Sequence, residues 1–394
     1  MAEARPRVLV LSDHYLPAFR AGGPVRSLAN LVERLGDRVD FHVVTRLHDF
    51  GGAPLPGVRA DAWQPVGRAQ VYYASRPSSP SGGVRAALGA GACDVLYFNS
   101  LFSPHFTLRP LLLRRLGRLP PRPVVVAPRG ELYPGALAQK RAKKLAFLAA
   151  ARLAGLYRGV TWQATSADEA EQVRRWFGAG ARVVRAGNLG APPPAHAAGV
   201  PPRPAKHPGR LKIAFLSRIA PKKNLAGALE LLAGVDGEVE LDAWGPHEDP
   251  AYLARCRAAA AALPPQVRVR FPGEVEHAGV ERLLAGYHLF LLPTQGENFG
   301  HAIAEALRAG VPVLISDRTP WRGLVARGAG WDLPLERPDE FRRVLRECVA
   351  MDGAAWSALA EGARRYGVEA ASGAETEDAL LRLFRGAAAP GGAP

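Results

Sequence analysis

The sequence predicts an α/β protein of two tandem Rossmann-like domains, each with a doubly wound parallel sheet. Three observations carry that reading. Short apolar runs alternate with segments whose apolar residues recur at helical spacing. The alternation stops in a stretch dense in Pro, Gly and Ala from Ala191 to Gly209, then starts again. The length of 394 residues exceeds one typical domain and suits two of roughly 180 residues each.

In the first half Arg7–Ser12 reads as a buried strand. A loop with Gly22-Gly23 follows, and then Val25, Leu28, Leu31, Val32 and Leu35 fall on one helical face. Further strands are expected at Phe41–Thr45, Gln70–Tyr73, Asp94–Phe98, Pro123–Ala127, Thr161–Thr165 and Ala181–Val184. The second half repeats the pattern with strands Leu211–Leu216, Glu238–Leu241, Val267–Phe271, His288–Leu292 and Val311–Ile315. Its helices are expected at Leu225–Leu232, Asp339–Val349, Ala355–Tyr366 and Glu375–Phe384. The implied boundaries are an N-terminal domain over 1–195, a linker over 196–209 and a C-terminal domain over 210–372. A terminal helix and tail over 373–394 are available to pack on the first domain. Two such domains are expected to face each other across a cleft, a frequent place for ligands.

Composition narrows the class. Hydrophobic content of 48% and charged content of 22% allow a sizeable core. Cys93, Cys256 and Cys348 are far apart without metal-type spacing, which suits a reducing compartment and no disulfide framework. No signal peptide is visible, and no apolar run approaches the roughly 20 residues that cross a bilayer. A cytoplasmic protein is expected.

Net charge is +15 and unevenly placed. Residues 1–200 hold 27 Lys and Arg against 12 Asp and Glu, whereas residues 201–394 hold 24 of each. The first half therefore calls for an anionic partner: a membrane surface, a phosphorylated substrate or nucleic acid. A general arginine bias is the dull alternative, but it should load both halves alike. Nucleic acid is not expected, because no recognised motif or aromatic-basic interleaving accompanies the charge. Gln139–Lys144 and the following Leu145–Leu156 read as one basic helix whose faces do not separate as an interfacial helix requires. The basic half as a whole is expected either to hold the protein at anionic headgroups on the inner face of the plasma membrane or to bring in a phosphate-bearing lipid acceptor.

The richest local pattern is Glu297-Asn298-Phe299-Gly300 followed by Glu305. It spans the end of a buried strand, a turn-type loop and a helix that should stop at Gly310. Ligands of open α/β sheets bind at that carboxyl edge. Helix-start N–H groups at Phe299 and Gly300 favour phosphate, and carboxylates there suit sugar or ribose hydroxyls. Ordinary helix-start surface charges are the bland alternative. Ser217–Asn224 stands at the end of the second domain's first strand, where Arg218 offers a fork of donors and Lys223 a point charge. Walker spacing is absent, and a solvated basic loop remains open.

Together these residues resemble the glycosyltransferase family 4 enzymes, which have the GT-B fold and use nucleotide sugars. The likeness extends over nearly the whole chain and includes the Gly22-Gly23 loop and the final helices. Ser12–Pro17, Thr319–Arg322 and Gly330–Pro334 further resemble bacterial polysaccharide-assembly members. The resemblance implies that Arg218 and Lys223 hold the donor diphosphate and stabilise the leaving nucleotide, with neither metal nor other cofactor. It implies that Glu297 contacts the sugar, Glu305 the ribose, and Asn298, Phe299, Gly300, Gly22 and Gly23 the donor phosphates. The implied reaction retains configuration, moving a hexose-type sugar from a UDP- or GDP-linked donor to a glycan or lipid-linked acceptor in cell-surface polysaccharide assembly. An epimerase of the same fold and a non-catalytic nucleotide-sugar-binding partner are the alternatives.

One departure stands out. Many relatives carry a histidine near the transferred sugar where this chain has Asn99; asparagine there is a candidate for hydrogen-bonding a sugar hydroxyl but cannot act as a general base near neutral pH. His105 lies close in sequence. Arg129, in Pro128-Arg129-Gly130-Glu131, and Arg26 are further candidates for acceptor or donor phosphate. Trp244, beyond Asp242, would stack on a base or fill the core.

Overall fold

The alternating pattern becomes two separate β-sheets. The computed structural model describes residues 5–75, 81–89, 93–138, 140–192, 203–276 and 279–388. The chain divides at Pro192 and Gly373 into two units, the first of which regains the segment from Gly373 onward.

The first unit holds strands β1 (Arg7–Leu11), β2 (Asp40–Arg46), β3 (Trp63–Val66), β4 (Ala69–Ala74), β5 (Val95–Phe98), β6 (Val124–Val126), β7 (Val160–Ala164) and β8 (Arg182–Arg185). They line up as β3-β4-β2-β1-β5-β6-β7-β8. Every neighbouring pair is parallel except β3 with β4. Strand β3 was not anticipated; with four residues and a proline it sits on the edge, where a missing ladder donor costs little. Alternate residues of β1 serve opposite faces. Val8 and Val10 enter one core cluster, and Leu9 and Leu11 the other.

The terminal helix Ala374–Ala388 closes the first of these faces, with Phe384 edge-on to Phe41 and Tyr97 at 6.0 and 5.7 Å. Glu377 pairs with Arg34 at 2.6 Å and also with Arg38. A sequence-remote segment is thereby built into the first unit's core.

The second unit holds β9 (Arg210–Leu216), β10 (Glu238–Trp244), β11 (Val267–Gly273), β12 (Leu289–Leu292), β13 (Val313–Ser316) and β14 (Gly330–Leu333), in the order β11-β10-β9-β12-β13-β14 and all parallel. Strand β14 is a short edge strand absent from the sequence reading. The expected linker falls outside the described residues over 196–202. Its remainder is packed on this unit, where the Lys206 ammonium donates to the carbonyls of His207, Val349 and Met351. Hinge composition therefore did not mean free chain over 203–209.

The expected basic helix is also interrupted. A short helix Pro134–Ala138 precedes the helix Arg141–Leu153, and Lys140 between them takes the left-handed conformation at φ 55°. Gln139 lies outside the described residues.

His288 locks the start of β12. Its Nδ1 accepts from the Lys212 N–H at 3.0 Å and its Nε2 faces Ala205 O at 3.3 Å, so the neutral ring carries its proton on Nε2. Burial pushes its pKa down to about 4. Because the fold binds the neutral ring, this contribution is complete above the unfolded value near 6.5 and is lost as pH falls towards 4. Melting curves across that window should show a loss on the order of 3 kcal/mol that a non-titrating His288→Gln chain lacks. Parallel pH slopes for the two proteins would rule this out.

Candidate functional site

Strands β9 and β12 are parallel neighbours, so their carboxyl ends meet at one edge and the loops leaving them must adjoin. The two loops are knitted together. Gln295 N donates to Lys222 O at 2.8 Å, Thr294 Oγ1 to the same carbonyl at 3.2 Å, and Asn224 Nδ2 to Pro293 O at 3.0 Å. Asn224 closes the turn in the left-handed region at φ 60°, which asparagine tolerates better than most residues. The Lys223 ammonium forms an ion pair with the Glu297 carboxylate, and these side chains are only 12% and 13% exposed. Two residues 74 positions apart thus meet at the edge where an α/β sheet holds its ligands.

Glu297 is held from the other side as well, its N–H donating to Arg318 O at 3.0 Å in the loop after β13. Phe299 lies against His301 and Trp321, and the Trp321 indole N–H donates to Phe299 O at 2.6 Å. Gly300 sits at φ 83°, and a Cβ there would fall 2.8 Å from Ile303 Cδ1. The helix itself runs His301–Arg308. Asn298, Phe299 and Gly300 are therefore the turn before the helix, not its first residues, because a left-handed Gly300 cannot belong to it. Glu305 lies in the second turn and is buried.

Arg218 reaches the same edge but keeps a different partner. Its Nη1 lies 3.1 and 3.2 Å from the two oxygens of Glu248, in the loop after β10. Glu248 escaped the sequence reading, although its place four residues beyond a strand end was a usable signal. The site thus shows two adjoining cation–carboxylate pairs rather than one cationic clamp. Trp244 is tied into the core: its indole N–H donates to Tyr287 OH at 2.8 Å, and that hydroxyl donates to Asp242 at 2.7 Å. Arg270 grips the same carboxylate at 2.6 and 2.8 Å.

In the first unit, Asn99 and Arg129 hold each other at the carboxyl ends of β5 and β6. Arg129 Nε donates to Asn99 Oδ1 at 2.7 Å, Nη2 to Tyr97 OH at 2.7 Å, and Nη1 to Asn188 Oδ1. Asn99 Nδ2 in turn reaches Ser12 Oγ at 3.2 Å and Pro24 O at 3.4 Å. Both amide hydrogens are thus engaged, which leaves Asn99 a positioning group that links Arg129 to the Gly22-Gly23 loop. Arg129 stands at φ 54°, and its acceptors among the described residues, Asn99, Asn188 and Tyr97, are neutral. Gly22 caps the helix Gly23–Leu35 at φ 72°, and Arg26 is half-buried in its first turn. His105 lies in the π-helical turn Pro104–Leu108, beside helix Arg109–Arg115. Glu131 accepts from Ser100 Oγ and from the N–H groups of Leu101 and Phe102, and burial pushes its carboxyl up to about 7.

Among the described residues no group of three or more His, Cys, Asp or Glu could hold a metal ion. No described helix is long and apolar enough to cross a membrane.

Residues 201–365 match the family described as glycosyl transferases group 1. A search of curated proteins found no significant match. Solved structures resemble the chain along almost its full length. Anabaena HepE in complex with UDP and glucose is 18% identical, with 97% of this chain and 100% of that one covered at a TM-score of 0.68. Sucrose-phosphate synthase from Thermosynechococcus elongatus is 17% identical, with coverages of 97% and 98% and a TM-score of 0.70. WaaG, a glycosyltransferase involved in lipopolysaccharide biosynthesis, is 14% identical, with coverages of 96% and 100% and a TM-score of 0.64. The fold is that of the GT-B glycosyltransferases, two parallel-sheet α/β units, as the sequence led us to expect.

Proposed function

We propose that the protein is a retaining glycosyltransferase moving a hexose-type sugar from a UDP- or GDP-linked donor to a glycan or lipid-linked acceptor in cell-surface polysaccharide assembly. The observation that carries this reading is the meeting of Lys223 with Glu297 beside Arg218, at the carboxyl edge of the second sheet. The match of residues 201–365 to the group 1 glycosyl transferases and the UDP and glucose bound by HepE support it.

The donor diphosphate would replace the carboxylate partners of Lys223 and Arg218 with phosphate oxygens, each such charge-assisted hydrogen bond contributing roughly 1.5–3 kcal/mol net. Negative charge builds on that diphosphate as the sugar leaves, so cations fixed beforehand help the transition state more than the ground state. Glu297, released from Lys223, would accept from sugar hydroxyls, and Glu305 would serve the ribose. No enzymic base is required if the leaving phosphate takes the acceptor proton on the same face, which agrees with Asn99 being committed to Arg129. In this reading no metal or other cofactor takes part, and Arg129 and Arg26 serve phosphate on the first unit. The protein works on the cytoplasmic side of the plasma membrane, held peripherally through its basic first unit.

Incubation with a panel of UDP- and GDP-sugars, followed by product analysis, tests this. Transfer or slow donor hydrolysis with retained configuration is expected. An isomerised donor would instead make the protein an epimerase, and tight binding without turnover would make it a binding partner.

A further inference from the structure

The helices on the two faces of the first sheet differ in how their charge is placed. On one face, helices Gly23–Leu35 and Ala374–Ala388 carry both signs, with Arg34 and Glu377 paired between them. On the other face, helices Ser81–Gly89, Arg109–Arg115, Arg141–Leu153 and Ala167–Phe177 insert Val84, Leu111, Leu148 and Val173 into one cluster. The first three contain eight Lys or Arg and no Asp or Glu, whereas the fourth carries Asp168, Glu169 and Glu171 beside Arg174 and Arg175. From Val95 to Ala167 there are twelve Lys or Arg and a single carboxylate, Glu131. A general bias in composition would have loaded both faces alike, so the excess charge of this unit is positioned.

Apolar side chains stand among those cations. Leu112, Leu116 and Leu153 are 52%, 59% and 90% exposed. The helix ends that carry them adjoin, since Arg114 Nη1 donates to Arg158 O at 3.1 Å and a Cβ at Gly155 would lie 3.7 Å from Arg115 Nη2. Beside them a small apolar recess is lined by Val84, Pro110, Leu113 and Leu119 and by the side chains of Arg85, His105 and Arg109. An acidic protein or a nucleic acid would pair with the arginines and leave the leucines in water. An anionic bilayer satisfies both, with phosphates for the guanidinium groups and the acyl boundary for the leucines.

We infer that this face docks on an anionic lipid bilayer, with its Lys and Arg side chains towards the headgroup phosphates and Leu112, Leu116 and Leu153 at the acyl boundary. The inference rests on the proposed peripheral membrane association and names the surface responsible. Long cationic side chains extend towards headgroups while their stems cover apolar surface. The exposed leucines supply the part of the affinity that salt does not screen.

Flotation of the full chain with vesicles of phosphatidylcholine alone, or mixed with phosphatidylglycerol, tests it. The protein should float with the mixed vesicles at low salt and be released as salt rises. The triple variant Leu112→Ser, Leu116→Ser, Leu153→Ser should bind them on the order of tenfold or more weakly, with unchanged melting temperature and nucleotide affinity. The double variant Arg85→Glu, Arg109→Glu should also lose binding and show a flatter salt dependence. Val325→Ser with Val368→Ser, at exposed apolar positions of the second unit, should behave as wild type. If the leucine variant floats like wild type, this face is wrong although peripheral association stands. If the wild type floats equally with neutral vesicles, or prefers a short DNA duplex to the mixed vesicles, both fall.

Discussion

Replacing Lys223 by alanine is expected to lower turnover on the order of 10²-fold or more while the chain stays folded, equivalent to about 2.7 kcal/mol of lost transition-state stabilisation. The ammonium sits on a turn fixed by three hydrogen bonds to the neighbouring loop, so its position before reaction is set by the backbone. Glu297→Gln should cause a loss of similar size by removing the group that would face the sugar. A confounding effect exists, because Lys223→Ala also strands a carboxylate that is only 13% exposed. The double variant separates the two. Were Lys223 merely the counter-ion of Glu297, adding Glu297→Gln would restore much of what the single change removed. Were it the stabiliser of the leaving diphosphate, the double variant would stay as slow as the singles or slower. Rates of transfer and affinity for free nucleoside diphosphate should be measured on all three proteins, with melting temperatures alongside. Near-normal rates in both single variants would be fatal to the role assigned here.

Much of this arrangement was legible beforehand because strand order in a parallel sheet constrains loops strongly. A strand end followed by Arg218 and Lys223, and another followed by Glu297, have few places to go once both belong to one sheet. The core strands β1, β9 and β12 were equally readable, as continuous apolar runs buried on both faces. What escaped had weak local signals. Strands β3 and β14 are four residues long and lie at sheet edges, where no apolar run is needed. The partners Glu248 for Arg218 and Asn188 for Arg129 lie 30 and 59 residues away, on loops whose side-chain directions no periodicity records. The break at Lys140 arises from one left-handed residue inside a stretch with good helix propensity, which spacing alone cannot reveal. The basic surface of the first unit shows the same limit. Its net charge was countable from the sequence, but only the fold reveals that one helical layer holds the cations and the exposed leucines together.

Gly245→Ala should be among the most damaging single substitutions outside the ion pairs, and it should act on the site through the backbone. Gly245 directly follows β10 at φ 134°, a conformation that residues with a Cβ rarely adopt, and its N–H donates to Gly273 O at 2.7 Å. A Cβ built there lies 1.9 Å from Ser217 O and 3.4 Å from Arg218 N. The obstruction is main chain, so no rotamer change relieves it. Either β10 must pull away from β9, or the loop carrying Arg218 must shift. Both outcomes disturb the diphosphate candidates, and the cost should be on the order of 3 kcal/mol. Gly273→Ala is the matched control. Gly273 also has positive φ, at 96°, but nothing stands within 4 Å of its virtual Cβ, so only the conformational penalty of about 1–2 kcal/mol applies. Denaturant titration should therefore rank wild type above Gly273→Ala, and Gly273→Ala above Gly245→Ala. Nucleotide affinity should fall for Gly245→Ala in conditions where it is still folded, and hold for Gly273→Ala. Equal stabilities and equal affinities for the two variants would mean that close packing of Gly245 on the Ser217–Arg218 backbone does not govern the site.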